Sequence, residues 1–165
     1  MTAQKLVVDV VSDVVCPWCF IGKRQLEDAL QQWGERHPDA QMPTVTWHPF
    51  QLNPDMPAEG MAREEYMRRK FGRSDTGAIY ANVRRAAQES GLALNLEAIV
   101  RQPNTLRPHA LLQVAESIDA QHQMAEILFE AYFLNGRDLT DPAVLAERGA
   151  RAGLDPDAVH AALED

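Results

Sequence analysis

The chain has 165 residues, 45% of them hydrophobic, which suits one compact domain with a real core or one domain carrying an insertion. Its net charge of −8 and pI near 5.1 argue against nucleic acid or an anionic membrane surface as a partner. No stretch approaches the roughly 18 uninterrupted apolar residues of a membrane span, and residues 1–5 lead into strand-like sequence without a signal-peptide core, so a cytoplasmic location is expected.

Residues 5–12 form an apolar run with β-branched residues, the pattern of a strand buried on both faces. Asp9 interrupts the run. It reads either as a carboxylate at the sheet edge or as one beneath the following cysteines that helps to move protons. Cys16-Pro17-Trp18-Cys19 comes next, and Pro17 suits a first helical position, where its missing N–H costs little. Ile21, Leu26, Ala29, Leu30 and Trp33 then space out a helical apolar face, with Gly34 as the expected stop. Residues 44–50, rich in β-branched and aromatic side chains, predict a second strand. Strand, helix and strand make a βαβ unit, expected to be right-handed with parallel strands.

Beyond the proline-broken loop at 51–57 the character changes. Residues 61–71, 75–90, 107–120 and 124–134 predict helices, and no strand-like run follows residue 56. Asp141-Pro142 and Asp155-Pro156 each supply an N-cap followed by proline at the first helical position. Gly72, Gly91, Gly136 and Gly153 fall where helices should stop. The 124–134 helix is apolar on much of its circumference and is expected at the centre of a helical subdomain. The expected division is therefore residues 1–58, carrying the cysteines, and residues 59–165, all helical.

Cys16 and Cys19 are the chain's two cysteines, which excludes a disulfide-stapled secreted scaffold. Three residues apart at a strand-to-helix junction, they can close a small disulfide ring. The helix start offers unpaired backbone N–H groups and the positive end of its dipole to the first sulfur, and both favour the reactive thiolate. Zinc is one competitor, but structural zinc usually takes four Cys or His ligands. His37, His48, His109, His122 and His160 are scattered without ligand spacing, so no metal is expected. A pair of inert, buried cysteines is the other. Cys-x-x-Cys after an apolar strand and opening a helix reads as a thioredoxin-like redox motif. Cys16 is then the expected nucleophile and Cys19, one turn inside, the resolving thiol. Pro17 and Trp18 set the helix start and cover the pair, and no bound cofactor is required.

Four patches resemble the DsbA-like thioredoxin family, and within it the FrnE-like branch of cytosolic dithiol oxidoreductases. The segment from Asp13 through Cys16-Pro17-Trp18-Cys19 to Gly22 is similar to that branch's active-site signature. Pro49-Phe50-Gln51-Leu52-Asn53-Pro54 resembles its segment after the second strand. Pro103-Asn104-Thr105-Leu106-Arg107-Pro108-His109 is similar to the family's Asn-Thr-x-x-Ala-His stretch, with Pro108 in place of the usual alanine. Phe129-Glu130-Ala131-Tyr132-Phe133 and Gly136-Arg137-Asp138-Leu139 match the late part of its helical insertion. The resemblance implies an α/β thioredoxin fold interrupted by helices, with a substrate groove between the two parts. Phe50, Asn53, Asn104, Thr105 and His109 match positions expected to bind substrate there. Read alone, Asn104-Thr105 is also a helix cap, His109 a packed histidine and Phe50 a core aromatic.

Family members continue with a helix, a cis-proline loop beside the cysteines, two antiparallel strands and a final helix, and this chain has no counterpart of that ββα part before Asp165. A fragment, a truncated gene or a chain completed by a partner would each account for it. Two strands bury their faces poorly, so self-association as a homodimer and weak activity are expected. The implied function is thiol–disulfide exchange with protein or small-molecule disulfides and dithiols, glutathione among them. A second reading is glutathione-dependent isomerisation, because kappa-class glutathione transferases and 2-hydroxychromene-2-carboxylate isomerases resemble this family. Those typically carry serine at the first cysteine position and lack the second, so the complete pair argues against it. A third is a non-catalytic helical interaction module.

Overall fold

The computed structural model describes residues 6–73 and 77–164. Val7–Ser12 (β1) and Thr44–Pro49 (β2) pair in parallel, Val7 opposite Thr44 and Ser12 opposite Pro49. Pro17–Arg36 (α1) makes the crossover that a parallel pair requires. The expected strand start at Lys5 lies outside the described residues. β1 is not buried on both faces, as its apolar run predicts. Val7 and Val11 are 51% and 64% exposed, whereas Val8 and Val10 are half-buried on the opposite face. Among the described residues β2 is the only strand paired with β1, so one face stays open. The far edge of β2 is closed by a side chain. Buried Gln121 accepts from the Trp47 N–H at 2.8 Å and donates to the Trp47 carbonyl at 3.0 Å, as a third strand would.

α1 runs through Gly34, its expected stop, to Arg36. Pro38 ends it, because a residue before proline is pushed out of the α region, and His37 sits at φ −130°, ψ 61°. The expectation of no strand beyond residue 56 is also overturned. Met61–Ala62 (β3) takes the place of a first helical turn and pairs antiparallel with Arg101–Gln102 (β4). Strands of two residues are too short to show a hydropathy period.

The helices are Arg63–Phe71 (α2), Ala81–Glu89 (α3), Leu106–Glu116 (α4), Gln121–Phe129 (α5), Pro142–Arg151 (α6) and Pro156–Glu164 (α7). The expected start at Asp75 lies outside the described residues. α4 stops at Glu116, short of 120, and the chain turns through Asp119 at φ 57°. Asp141 accepts from the Ala143 N–H at 2.8 Å, and Asp155 from the N–H groups of Asp157 and Ala158, as N-caps should. The helix expected at 124–134 starts at Gln121, and Glu130–Leu134 widens into a π turn. Asn135 N–H there bonds the Glu130 carbonyl five residues back, at 3.1 Å. Met124, Leu128, Phe129, Tyr132 and Phe133 are all buried, so this helix is central as its composition requires.

Phe20, on the first turn of α1, is wholly buried and stacks on Phe129 at 5.1 Å and on Phe133 at 6.0 Å. Trp47 of β2 meets Phe129 edge-on at 6.3 Å. One turn further along α1, an ion network joins it to α5. Lys23, with its side chain 1% exposed, bonds Glu126 at 2.7 Å and also Glu27, and Arg24 bonds both carboxylates. His122 Nδ1 accepts from the Trp47 indole at 3.2 Å while Nε2 donates to Glu27 at 3.0 Å, so its neutral tautomer fits the site. Burial first, and then the charge of Lys23, hold the His122 pKa below its ordinary value. Burial opposes ionisation of Glu27, but the hydrogen bond and charge of Lys23 and the contacts with His122 and Arg24 outweigh it and lower its pKa.

Truncating Phe20 to alanine empties the centre of the aromatic cluster. The expected loss, read by urea unfolding, is about 3–5 kcal/mol. The ion network adds a pH dependence. The unfolded chain takes up protons at His122 and Glu27 before the folded chain does, so their stabilisation is complete above pH 6.5. It declines as the pH falls through the histidine window and then below 4.5 at Glu27. The urea midpoint should therefore drop on acidification below pH 6.5, and a His122→Gln variant should flatten the first part of that fall.

Candidate active site

The cysteines sit where β1 gives way to α1. Buried Val14 and Val15 anchor the connecting turn, which the Cys16 N–H closes on the Asp13 carbonyl at 3.1 Å. Cys16 is the N-cap of α1 and Pro17 opens the helix, as predicted from the missing proline N–H. Cys19 lies next to Phe20 and packs against the hydrophobic core. Both cysteines are free thiols and half-buried, and Trp18 between them is 52% exposed. A pocket of about 310 Å³ opens over the pair, lined by Val11, Ser12, Asp13, Cys16, Cys19, Phe50 and Leu52.

The two sulfurs lie within hydrogen-bonding reach of each other. The hydrogen bond between them, then burial and the neighbouring charge, push the Cys16 thiol above its ordinary range, against backbone hydrogen bonds from Cys19 and Trp18. The same bond pulls Cys19 down to about 6; burial opposes this, while hydrogen bonds from the Ser12 hydroxyl and the Asp13 backbone add to it. The negative charge of Asp13 works the other way and raises Cys19. At neutral pH the pair carries one thiolate, and it titrates as a unit rather than as two independent thiols.

Asp13 is the buried carboxylate beside the cysteines, not Asp9. Asp9 is exposed, accepts from His48 Nε2 at 2.8 Å, and is absent from the pocket lining. Asp13, 1% exposed, accepts from the Leu52 N–H through Oδ2 at 2.8 Å. Its Oδ1 lies 3.3 Å from His109 Nε2 but receives no hydrogen bond, because that N–H points at the Phe50 carbonyl, 3.0 Å away. His109 Nδ1 likewise has no partner among the described residues. Asp13 and His109 together thus fix the backbone of residues 50–52, which walls the pocket.

The other residues expected at the site fall into two groups. Phe50 stands at the pocket, 52% exposed rather than in the core, since β2 ends at Pro49 and its side chain extends beyond the sheet. Asn53, Asn104 and Thr105 are not in the pocket lining but tie the 50–56 loop to the helices. Asn53 accepts from the Tyr66 hydroxyl at 3.3 Å, and Asn104 donates to the Met56 carbonyl at 2.6 Å while accepting from the Leu106 N–H at 2.9 Å. Thr105 accepts from Gln51 at 3.4 Å. Sequence reasoning missed Ser12, Asp13 and Leu52 as pocket residues. The available signal was a carboxylate immediately after an apolar strand and three residues ahead of a cysteine. No three His, Cys, Asp or Glu side chains gather as a metal site among the described residues, and no helix there is long and apolar enough to cross a membrane.

The uncharacterized protein YwbO of Bacillus subtilis is 24% identical over 161 residues, spanning 95% of this chain and 71% of that protein. The crystal structure of a probable DsbA oxidoreductase from Streptomyces coelicolor aligns with a TM-score of 0.81 at 26% identity, covering 97% of this chain and 68% of that one. The cytosolic disulfide reductase DsbM of Pseudomonas aeruginosa, in a structure with GSH, shares the fold at a TM-score of 0.65 and 19% identity, covering 97% of this chain and 73% of that one. The sequence itself matches the DSBA-like thioredoxin domain over residues 7–165, and the chain belongs to that family.

Proposed function

We propose that this chain is a thiol–disulfide oxidoreductase in which Cys16 attacks and Cys19 resolves. Family membership supports an oxidoreductase or a closely related enzyme. The finer reading is carried by one observation, two free thiols three residues apart at a helix start that together line one pocket. Both sulfurs line the pocket, but Cys19 also packs against the core, and Cys16, at the N-cap of α1, is assigned the attack. Moving a proton from Cys16 to Cys19 passes the negative charge to the attacking sulfur.

The Cys16 thiolate then attacks one sulfur of a substrate disulfide, forming a mixed disulfide and releasing the other sulfur as a thiolate. Cys19, deprotonated in turn, attacks Cys16, closing the intramolecular disulfide and releasing the second substrate thiolate. Two electrons pass to the substrate, and the protons end on the departing thiols. Run backwards, the same steps oxidise a dithiol. Phe50 and Trp18 offer apolar contacts to the substrate, while Asn53, Asn104, Thr105 and His109 hold the loop that presents Phe50. The same proposal sets the reaction in the reducing cytoplasm, on an FrnE-like pattern, where thiols are kept reduced and a cysteine pair serves exchange rather than stapling.

In glutathione buffers, alkylation and mass analysis should find a reversible Cys16–Cys19 disulfide with a potential between about −270 and −120 mV. A pair that never closes sinks the proposal. Cys16→Ser should abolish exchange, whereas Cys19→Ser should accumulate mixed disulfides; equal loss without trapping would reverse or remove the assigned roles. The rate of iodoacetamide labelling should rise with a midpoint near pH 6 rather than near 9, the value of an ordinary thiol. Asp13→Asn removes a charge that opposes the thiolate but keeps an acceptor for Leu52, so that midpoint should move lower still.

A further inference from the structure

A second pocket, of about 600 Å³, adjoins that of the cysteines at Phe50, which lines both. Most of its lining is apolar, including Pro49, Pro54, Leu106 and Ala110. His109 and Gln51 reach it, but Arg107 brings the only permanent charge, and no carboxylate lines it. Arg107 sits on the first turn of α4, half-buried. Among the described residues it makes no hydrogen bond and no ion pair, in a chain whose acidic side chains outnumber its basic ones by 24 to 16. Arg24, Arg84 and Arg101 each bond a carboxylate, whereas Arg107 bonds none, although Glu59, Asp138 and Glu164 line adjoining grooves with it.

A half-buried guanidinium has already lost part of its hydration, and five rigid N–H donors match a carboxylate in two-point geometry. We infer that this second pocket binds the carboxylate end of a peptide disulfide, with Arg107 as its recognition residue and Phe50 as the wall along which the peptide passes to Cys16. The inference rests on the proposed function only for which atom reacts. It deepens that reading by naming the substrate class: peptide-sized and carrying a carboxylate at an end remote from sulfur. The acidic chain as a whole repels such a substrate, so a dedicated local cation is what would retain it.

The test separates binding from redox chemistry. S-methylglutathione, a thioether that cannot exchange, and its carboxyl diester are titrated calorimetrically into the whole chain and its variants. The free acid should bind about tenfold more tightly than the diester, the usual worth of a hydrogen-bonded charge contact. Arg107→Gln should erase that difference, Arg107→Lys should keep part of it, and added salt should weaken only the acid. Arg85→Gln, an exposed change on α3, should leave it in place. If the acid and the diester bind alike, if neither binds, or if Arg107→Gln preserves the preference, the inference is overturned. None of these outcomes depends on turnover, so a chain that binds the acid through Arg107 but never cycles its cysteines overturns the proposed function alone.

Discussion

The stack of Phe20 on Phe129 is the contact on which the site depends. Phe20 follows Cys19 directly in the chain and has no exposed surface, so the first turn of α1 cannot shift without opening the aromatic cluster. A packed interior has few alternative arrangements, and this one fixes the helix end that carries the thiols. The ion network of Lys23, Arg24, Glu27 and Glu126 fastens the next turn of α1 to the same α5. Buried ions are dear in desolvation and cheap to hold only when every partner is present. Here each cation meets both carboxylates, which makes the register of α1 against α5 a choice with little latitude.

The other wall of the site is held by polar groups rather than by packing. The backbone of residues 50–52 hangs on Asp13 through the Leu52 N–H and on His109 through the Phe50 carbonyl. The arrangement leaves Asp13 Oδ1 and His109 Nδ1 without hydrogen bonds in a buried setting, a cost that an apolar loop anchor would avoid. What the cost brings is a negative charge beside Cys19 that tempers how far its thiol is acidified. A thiolate that forms too readily is a weaker nucleophile and a better leaving group, so its pKa sets the balance between attack and release.

Much of this was legible in the sequence. The strand, the proline at the helix start and the two cysteines follow from local chemistry that needs no tertiary context, as do the Asp-Pro caps at Asp141 and Asp155. The all-round apolar helix ending in Phe129 announced its own burial. The remainder depended on partners remote in sequence. β1 looks buried on both faces because valine says nothing about which face a neighbour will cover. β3 and β4 are two residues each, and they exist only because the chain passes Arg101 beside Ala62. Asp9 lies within β1 and Asp13 just beyond its end, four residues apart. The strand's alternation sends the first to solvent beside His48, and the turn that follows carries the second under the cysteines.

Phe50 illustrates how position overrides residue type. As an aromatic at a strand end it reads as core, yet β2 ends one residue earlier and leaves it lining two pockets. Arg107 lines one of these pockets and the two sulfurs the other. A cation against Cys16 would pull its pKa down and blunt the attack, because thiolate nucleophilicity falls with basicity. A cation in the adjoining pocket can hold an anionic substrate while leaving the sulfur chemistry to the hydrogen bonds of Cys16, Cys19, Ser12 and Asp13. On that inference recognition falls to Arg107 and reactivity to the sulfurs and their hydrogen bonds, with Phe50 the residue that touches both pockets.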